Sequence, residues 1–291
     1  MTNVTSSRFC KKSYREVLLN ESSRYIFLPS ITKNSRTEVR LKTNLEQPDS
    51  NKIKKMKNED IFSRYSRQIF IEEIGLEGQR KIMNSKVVVI GAGGLGSPVI
   101  QYLAAAGVGT LGVVDFDEVE LHNLNRQIIH NENSVGKSKV KSAEDFVKNL
   151  NHQVSFIRFE SKIDESNAKE IISQFDMIID GSDNFKTRYL VNDTCVKLRK
   201  PLVYGSILGF SGQVAIFNYK GSKNLRDIFP EPPFDEDLPD CDSLGVLGAL
   251  PGIVGSMMAN QALKIITDLP LNLNQITLID TLNWRFQTVD F

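Results

Sequence analysis

The stretch that most restricts what this 291-residue chain can become runs from Val87 to Gly96, VVVIGAGGLG. Four consecutive β-branched residues suit a strand buried on both faces of a parallel sheet. Glycines at 91, 93 and 96 then let the backbone turn tightly into a helix, because no Cβ blocks the close approach. Ser97 and Pro98 fit the first helical turn, and Gln101 to Ala106 continue it with good helix formers. A strand, glycine turn and helix in that order leave backbone N–H groups at a helix N-terminus, where a phosphate is favoured. Glycine turns also serve plain strand-to-helix packing, so the fingerprint points to a nucleotide without naming one.

The following residues extend the pattern. Leu111 to Val114 form a second strand closing in Asp115-Phe116-Asp117, an acid about 20 residues beyond the glycines, placed for a ribose hydroxyl. Up to this point NAD and ATP are indistinguishable. LHNLNRQ, Leu121 to Gln127, then puts Asn123 and Arg126 three apart on a short helix, and Gly136-Lys137-Ser138-Lys139 opens another helix to about Leu150. A triphosphate carries more charge than a dinucleotide and calls for such extra cations. Val154 to Phe159 is a third strand, Ser166 to Ser173 a helix, and Phe175 to Ile179 a fourth strand ending in Asp180-Gly181-Ser182-Asp183-Asn184. Asp183 therefore emerges at the sheet edge of the glycine turn, either to hold Mg²⁺ against phosphates or to cap the helix Phe185 to Leu198. Pro201 to Ser206 and Gly212 to Asn218 supply strands five and six. Gly221 to Ser243, with Pro230, Pro232, Pro233 and Pro239, predicts a long exposed loop without periodicity. Leu247 to Thr267 is a small-residue helix suited to tight packing or a subunit interface, and Gln275 to Ile279 and Trp284 to Val289 are closing strands. Upstream, Ile61 to Phe70 predicts a helix that sets Arg64 and Arg67 on one face, with Gly75 and Gly78 breaking it. The fold expected is α/β: a doubly wound Rossmann-like sheet, parallel in its first half and mixed beyond, with a long proline-rich crossover loop.

Composition narrows the classes. Net charge is +1, so no global field argues for nucleic acid or a membrane surface. No apolar run approaches the roughly 20 residues of a bilayer span. Cys10, Cys195 and Cys241 form no CxxC pair, which argues against a disulfide framework and a four-cysteine zinc site. Residues 1–58 hold 13 Lys+Arg against 5 Asp+Glu, a balance of +8 that leaves −7 for the remainder. They are expected to be a disordered basic extension, with an organelle-targeting leader or a docking arm as alternatives, ahead of one domain over 59–291. The expected compartment is the cytoplasm, or the plastid stroma if the protein is organellar.

Several long motifs in order carry a resemblance: RYSRQI at Arg64 to Ile69, GAGGLGSP at Gly91 to Pro98, DFDEVELHNLNRQ at Asp115 to Gln127, VGKSK at Val135 to Lys139, DGSDNFKTR at Asp180 to Arg188, FPEPP from Phe229, and GVLG with PGIVG between Gly245 and Gly255. From about Ile61 onward the chain resembles the MoeB/ThiF/HesA family, relatives of the ubiquitin-activating enzymes, and MoeB in particular. The resemblance implies ATP- and Mg²⁺-dependent adenylation of the C-terminal glycine of a ubiquitin-like sulfur carrier, the small subunit of molybdopterin synthase foremost. It implies that Gly91, Gly93 and Gly94 approach the phosphates and that Asp115 and Asp117 line the ribose side. Asn123, Leu124, Asn125, Arg126 and Gln127, with Lys139, would surround the nucleotide. Asp183, beside Asn184, would hold Mg²⁺. Arg67 would reach the phosphates from the partner subunit of a homodimer, so that Arg67, Arg126, Lys139 and Asp183 together form the catalytic set.

The departures from the family carry their own expectations. Where many relatives hold a zinc-binding CxxC before FPEPP, this chain has Asn224 and Asp227, so no zinc is expected and the loop must be held otherwise. Cys241 stands where relatives can form a thiol-linked intermediate, but without a neighbouring His or Lys to lower its pKa a plain loop cysteine is the stronger expectation. Rival readings are an NAD-dependent oxidoreductase, a non-catalytic carrier-binding scaffold, and adenylation of a thiamine or tRNA-thiolation carrier.

Overall fold

A computed structural model describes residues 58–233 and 245–291. The expected N-terminal extension, apart from Asn58, and Cys241 lie outside the described residues. In chain order the strands are β1 (Lys86–Ile90), β2 (Thr110–Val114), β3 (Ser155–Phe159), β4 (Met177–Asp180), β5 (Leu202–Leu208), β6 (Ser211–Phe217), β7 (Gln275–Asp280) and β8 (Arg285–Asp290). They form one sheet in the order β3-β2-β1-β4-β5-β6-β7-β8. The pairings among β1 to β5 are parallel, and β6, β7 and β8 join antiparallel. This is the mixed, doubly wound α/β sheet the patterning predicts.

The helices are α1 (Asn58–Ile69), α2 (Gly75–Asn84), α3 (Gly96–Ala106), α4 (Lys139–Leu150), α5 (Ala168–Ser173), α6 (Phe185–Leu198), the single turn α7 (Leu225–Ile228) and α8 (Ala249–Ile266). One core joins Leu103 of α3, Val140 of α4 and Val254 of α8 to Val89 and Val113 of the sheet. A second joins Ile172 of α5 and Val191 of α6 to Val88 and Ile178. Alternate residues of β1 thus face two different cores, which is why its run is apolar throughout. The small residues of α8 let it lie close to its neighbours: a Cβ on Gly255 would come 2.6 Å from the Leu95 carbonyl oxygen.

Two glycine readings need correction. Neither glycine breaks α1, which already ends at Ile69: Gly75, with φ +56°, starts α2, and Gly78 lies inside that helix. Burial of Gln79 and Ile82 overrides the weak helix propensity of glycine. The proline-rich stretch also contains α7, because Asn224 and Asp227 form a capping box around it, with Asn224 N–H donating to Asp227 Oδ2 at 2.8 Å.

The position of α1 matters for the site. Tyr65 packs its ring on Gly107, just past the C-terminus of α3, and accepts a 2.9 Å hydrogen bond from Asn151 at the end of α4. Gln79 of α2, fully buried, donates to the Ala106 carbonyl at 3.0 Å and accepts from Gln68 of α1 at 2.7 Å. α1 is therefore docked at the end of α3 remote from the glycine turn, about 16 Å of helix away. No helix among the described residues is long and apolar enough to cross a membrane.

Candidate active site

Three parallel strands end together. The Gly91 N–H donates to the Val114 carbonyl at 2.8 Å and the Gly181 N–H to the Ile90 carbonyl at 2.9 Å. The helix after β1 covers one face of the sheet and the helix after β4 the other, so a crevice opens between these strand ends, where doubly wound sheets take their ligands. Gly91 has φ +92°, and a Cβ on Gly96 would overlap the Gly91 carbonyl oxygen. α3 begins at this turn with no side-chain cap on its N-terminus. Ser97 Oγ and Gln127 Oε1 are buried there without a hydrogen-bond partner. A Cβ on Gly94 would fill the space between Pro251 at 3.3 Å and Arg126 Cγ at 3.7 Å, and one on Gly93 would lie 3.7 Å from Gln127 Nε2. This narrow cradle, with orphaned polar atoms and a helix N-terminus, fits a phosphate chain.

Asp115 and Asp117 follow β2. One Asp115 oxygen accepts from the Ala92 N–H at 2.7 Å and the other from the Asp117 N–H at 2.9 Å. Burial pushes the Asp115 carboxyl above the usual carboxylate range, opposed by the nearby Lys139 ammonium. Lys139, the first residue of α4, is 6% exposed and places its Nζ 2.8 Å from Asp117 Oδ2. Asn123 is buried and accepts from the Glu120 N–H at 3.1 Å, closing the short 3₁₀ helix Leu121–Asn125 that also contains Leu124. Arg126, half-buried, donates to the His122 carbonyl and to Asn125 Oδ1, both at 3.1 Å. Gly91, Gly93, Gly94, Asp115, Asp117, Asn123 to Gln127 and Lys139 are thereby gathered at one sheet edge.

Asp183 and Asn184 stand on the loop after β4 at the same edge. The capping role falls to Asn184, which accepts from the Thr187 N–H at 2.9 Å, and leaves Asp183 as the exposed carboxylate beside it. Arg67 is exposed on α1 and does not join these residues within the chain. Among the described residues no group of three or more His, Cys, Asp or Glu is arranged to hold a metal ion by itself.

Three further residues stand at this edge without a role read from the sequence, His130, Asp180 and Arg188, although the last two bound the DGSDNFKTR motif. His130 is buried against the glycine turn. Asp180 is fully buried, accepting from Ser182 N–H at 3.0 Å and Ser182 Oγ at 2.6 Å, and burial raises its carboxyl while Arg188 opposes that shift. Arg188, 5% exposed, donates to the Ser182 carbonyl at 3.1 Å and to Ser206 Oγ at 2.7 Å, with its guanidinium near the Phe185 and Tyr204 rings. It stands between the Asp183 loop and an open, mainly apolar groove of about 820 Å³ bordered by Tyr204, Phe229, Leu278 and Arg285. Such a pairing of distant chain segments is invisible in a one-dimensional pattern.

Comparison with known proteins places this geometry. The ThiF family pattern matches residues 65–291. Adenylyltransferase and sulfurtransferase MOCS3 of Culex quinquefasciatus is 46% identical over 226 residues, covering 78% of this chain and 51% of that protein. The chain therefore spans about half the length of several curated relatives it matches. SAMP-activating enzyme E1 of Haloferax volcanii is 46% identical over 229 residues, covering 78% of this chain and 84% of that protein. Among solved structures, E. coli MccB with ATP superposes at TM-score 0.69 and 22% identity, over 78% of this chain and 71% of that one. PaaA does so at TM-score 0.69 and 23% identity, over 84% and 77%. At those identities the structural likeness speaks for the fold; the family match over most of the chain and the 46% identical relatives go further, and by them the chain belongs to the ThiF family.

Proposed function

We propose that this protein is an adenylyltransferase that uses ATP to activate the C-terminal glycine carboxylate of a ubiquitin-like sulfur carrier, the molybdopterin-synthase type foremost. The observation that carries the reading is the convergence of the glycine cradle, Arg126, Lys139 and Asp183 at one sheet edge. A carboxylate oxygen attacks the α-phosphorus, the bond to the bridging oxygen breaks, and pyrophosphate leaves with the negative charge. Charge gathers on the phosphates, so cations and oriented amides do the catalysis, and no protein nucleophile is required. Gly93 and Gly94 admit the phosphates to the N-terminus of α3. Asp115 and Asp117 sit on the ribose side, where Asp117 also holds the Lys139 ammonium in place. Among the described residues Arg126 donates to a carbonyl and a neighbouring amide, both local, so turning to a phosphate costs it little. Asp183 would hold Mg²⁺, which when bound supplies further charge neutralisation on the phosphates.

The mainly apolar groove suits the carrier, and Arg188, which lines it, also donates to the Ser182 carbonyl on the loop that carries Asp183. The names of the similar proteins, adenylyltransferase MOCS3 and SAMP-activating E1, support this class of reaction and of partner. Carrier-dependent exchange of label between pyrophosphate and ATP tests the proposal, with molybdopterin-type and thiamine-type carriers side by side. Exchange with one carrier, lost in Arg126→Ala, is the expected result. ATP binding without exchange on either carrier would leave a carrier-binding scaffold or a different acceptor.

A further inference from the structure

The peptide units on both sides of Ala92 are held from opposite directions. The Ala92 N–H donates to Asp115 Oδ2 at 2.7 Å, and the Ala92 carbonyl lies 3.0 Å from His130 Nε2. A carbonyl only accepts, so Nε2 carries a proton, and in the neutral imidazole Nδ1 is the acceptor. Nδ1 then accepts a hydrogen bond from the Ser142 hydroxyl at 2.8 Å. Ser142 lies three residues beyond Lys139 on α4, hence on the same helix face. His130, Ser142 and Lys139 are 7%, 5% and 6% exposed. The contacts close a circuit: from Ala92 through Asp115 to Asp117, from Asp117 to Lys139, along α4 to Ser142, and back through His130.

We propose that His130 is a positioning residue for nucleotide binding, one that orients the Gly93 amide and ties the glycine turn to the helix carrying Lys139. The inference rests on the reading that this turn receives ATP phosphates. In a trans peptide the N–H points opposite to the C=O. Holding the Ala92 oxygen against the imidazole therefore directs the Gly93 N–H away from His130. Gly93 and Gly94 have no side chains to enforce this orientation, so an external tether must supply it. Burial and the Lys139 charge both hold the imidazole pKa below its ordinary value, which keeps the ring in the neutral form the two bonds use.

Two substitutions test this. His130→Leu removes both hydrogen bonds, whereas His130→Gln keeps an N–H donor for Ala92. The readouts are ATP affinity by calorimetry without carrier, the KM for ATP against that for carrier in pyrophosphate exchange, and amide hydrogen exchange at residues 92 to 95 without nucleotide. His130→Leu is expected to weaken ATP about tenfold and speed exchange at those amides, with the carrier KM unchanged, and His130→Gln to recover to within about threefold. Unchanged ATP affinity in His130→Leu would overturn the proposal, as would a parallel rise in both KM values or a Gln variant no better than Leu at wild-type melting temperature. Should His130→Leu fail to fold, Ser142→Ala loosens only the imidazole: faster exchange at 92 to 95 supports the tether and unchanged exchange overturns it. If the unsubstituted protein binds no ATP, the proposed function fails by itself, while the exchange comparison still decides whether His130 holds the turn.

Discussion

Gly96 shows how one missing methyl group sets the site. A Cβ there would overlap the Gly91 carbonyl oxygen, and since backbone cannot rotate out of the way as a side chain can, the turn itself must move. Gly96→Ala is expected to destabilise the protein by about 3 kcal/mol and to abolish ATP binding, checked by urea unfolding and calorimetry. A wild-type ATP affinity would show that the turn tolerates widening. Lys139 makes the opposite point. It is buried against the Asp117 carboxylate, so Lys139→Ala is expected to lower pyrophosphate exchange by about a hundredfold or more with a smaller change in ATP affinity. Both residues stand out in the sequence, one by glycine spacing and the other by following a glycine in a basic run. His130, one histidine among ordinary residues, does not, because its meaning lies in two contacts 38 and 12 positions away.

Elements here owe their placement to local clamps as much as to hydrophobic burial. The segment Phe229 to Pro233 follows α7, and Arg226 binds it to the body. Its guanidinium meets Asp193 of α6 at 2.8 and 2.9 Å, donates to the Pro230 carbonyl at 2.7 Å, and lies over the Tyr189 ring. The Tyr189 hydroxyl is 2.9 and 2.8 Å from the Phe229 and Glu231 carbonyls. These contacts anchor the segment after α7 to α6. Arg226 holds the Asp193 carboxyl below the usual range, so the clamp contributes fully above about pH 4 and fades as pH falls below it. Because both side chains are about a third exposed, its worth is about 1 kcal/mol or less. Arg226→Leu is expected to speed amide exchange at residues 229 to 231 at pH 7, and the difference from wild type should shrink as carboxylates protonate. A difference independent of pH would assign the effect to lost packing on Tyr189.

At the scale of the whole molecule, α1 settles where Arg67 can act. Its docking on Gly107 and Asn151 places Arg67 away from this chain's own glycine turn, beside Phe70 and Ile71, which are 72% and 46% exposed. If a second copy covers this face and supplies Arg67, then Arg67→Ala and Arg126→Ala are each inactive alone. Mixed under subunit exchange, they are expected to recover about one quarter of wild-type pyrophosphate exchange, since half the dimers carry one intact site. No recovery, with mixed dimers present, would place Arg67 outside the chemistry. The sequence by itself determined the strand order of chemistry along the chain: the glycine turn, the acids after β2, the Arg126 and Lys139 cations and the Asp183 loop. Those signals are local, arising from glycine geometry, apolar runs and helix starts that each act over a few residues. It also implied the two-sided burial of β1, legible in four successive β-branched residues. Only the tertiary structure decided that Asn184 rather than Asp183 caps α6, that Gly78 lies within a helix, that His130 and Arg188 belong to the site, and that Arg67 does not reach it within one chain. Those outcomes depend on burial and on hydrogen bonds between segments distant in sequence, whose free energies arise only once the sheet has brought the segments together.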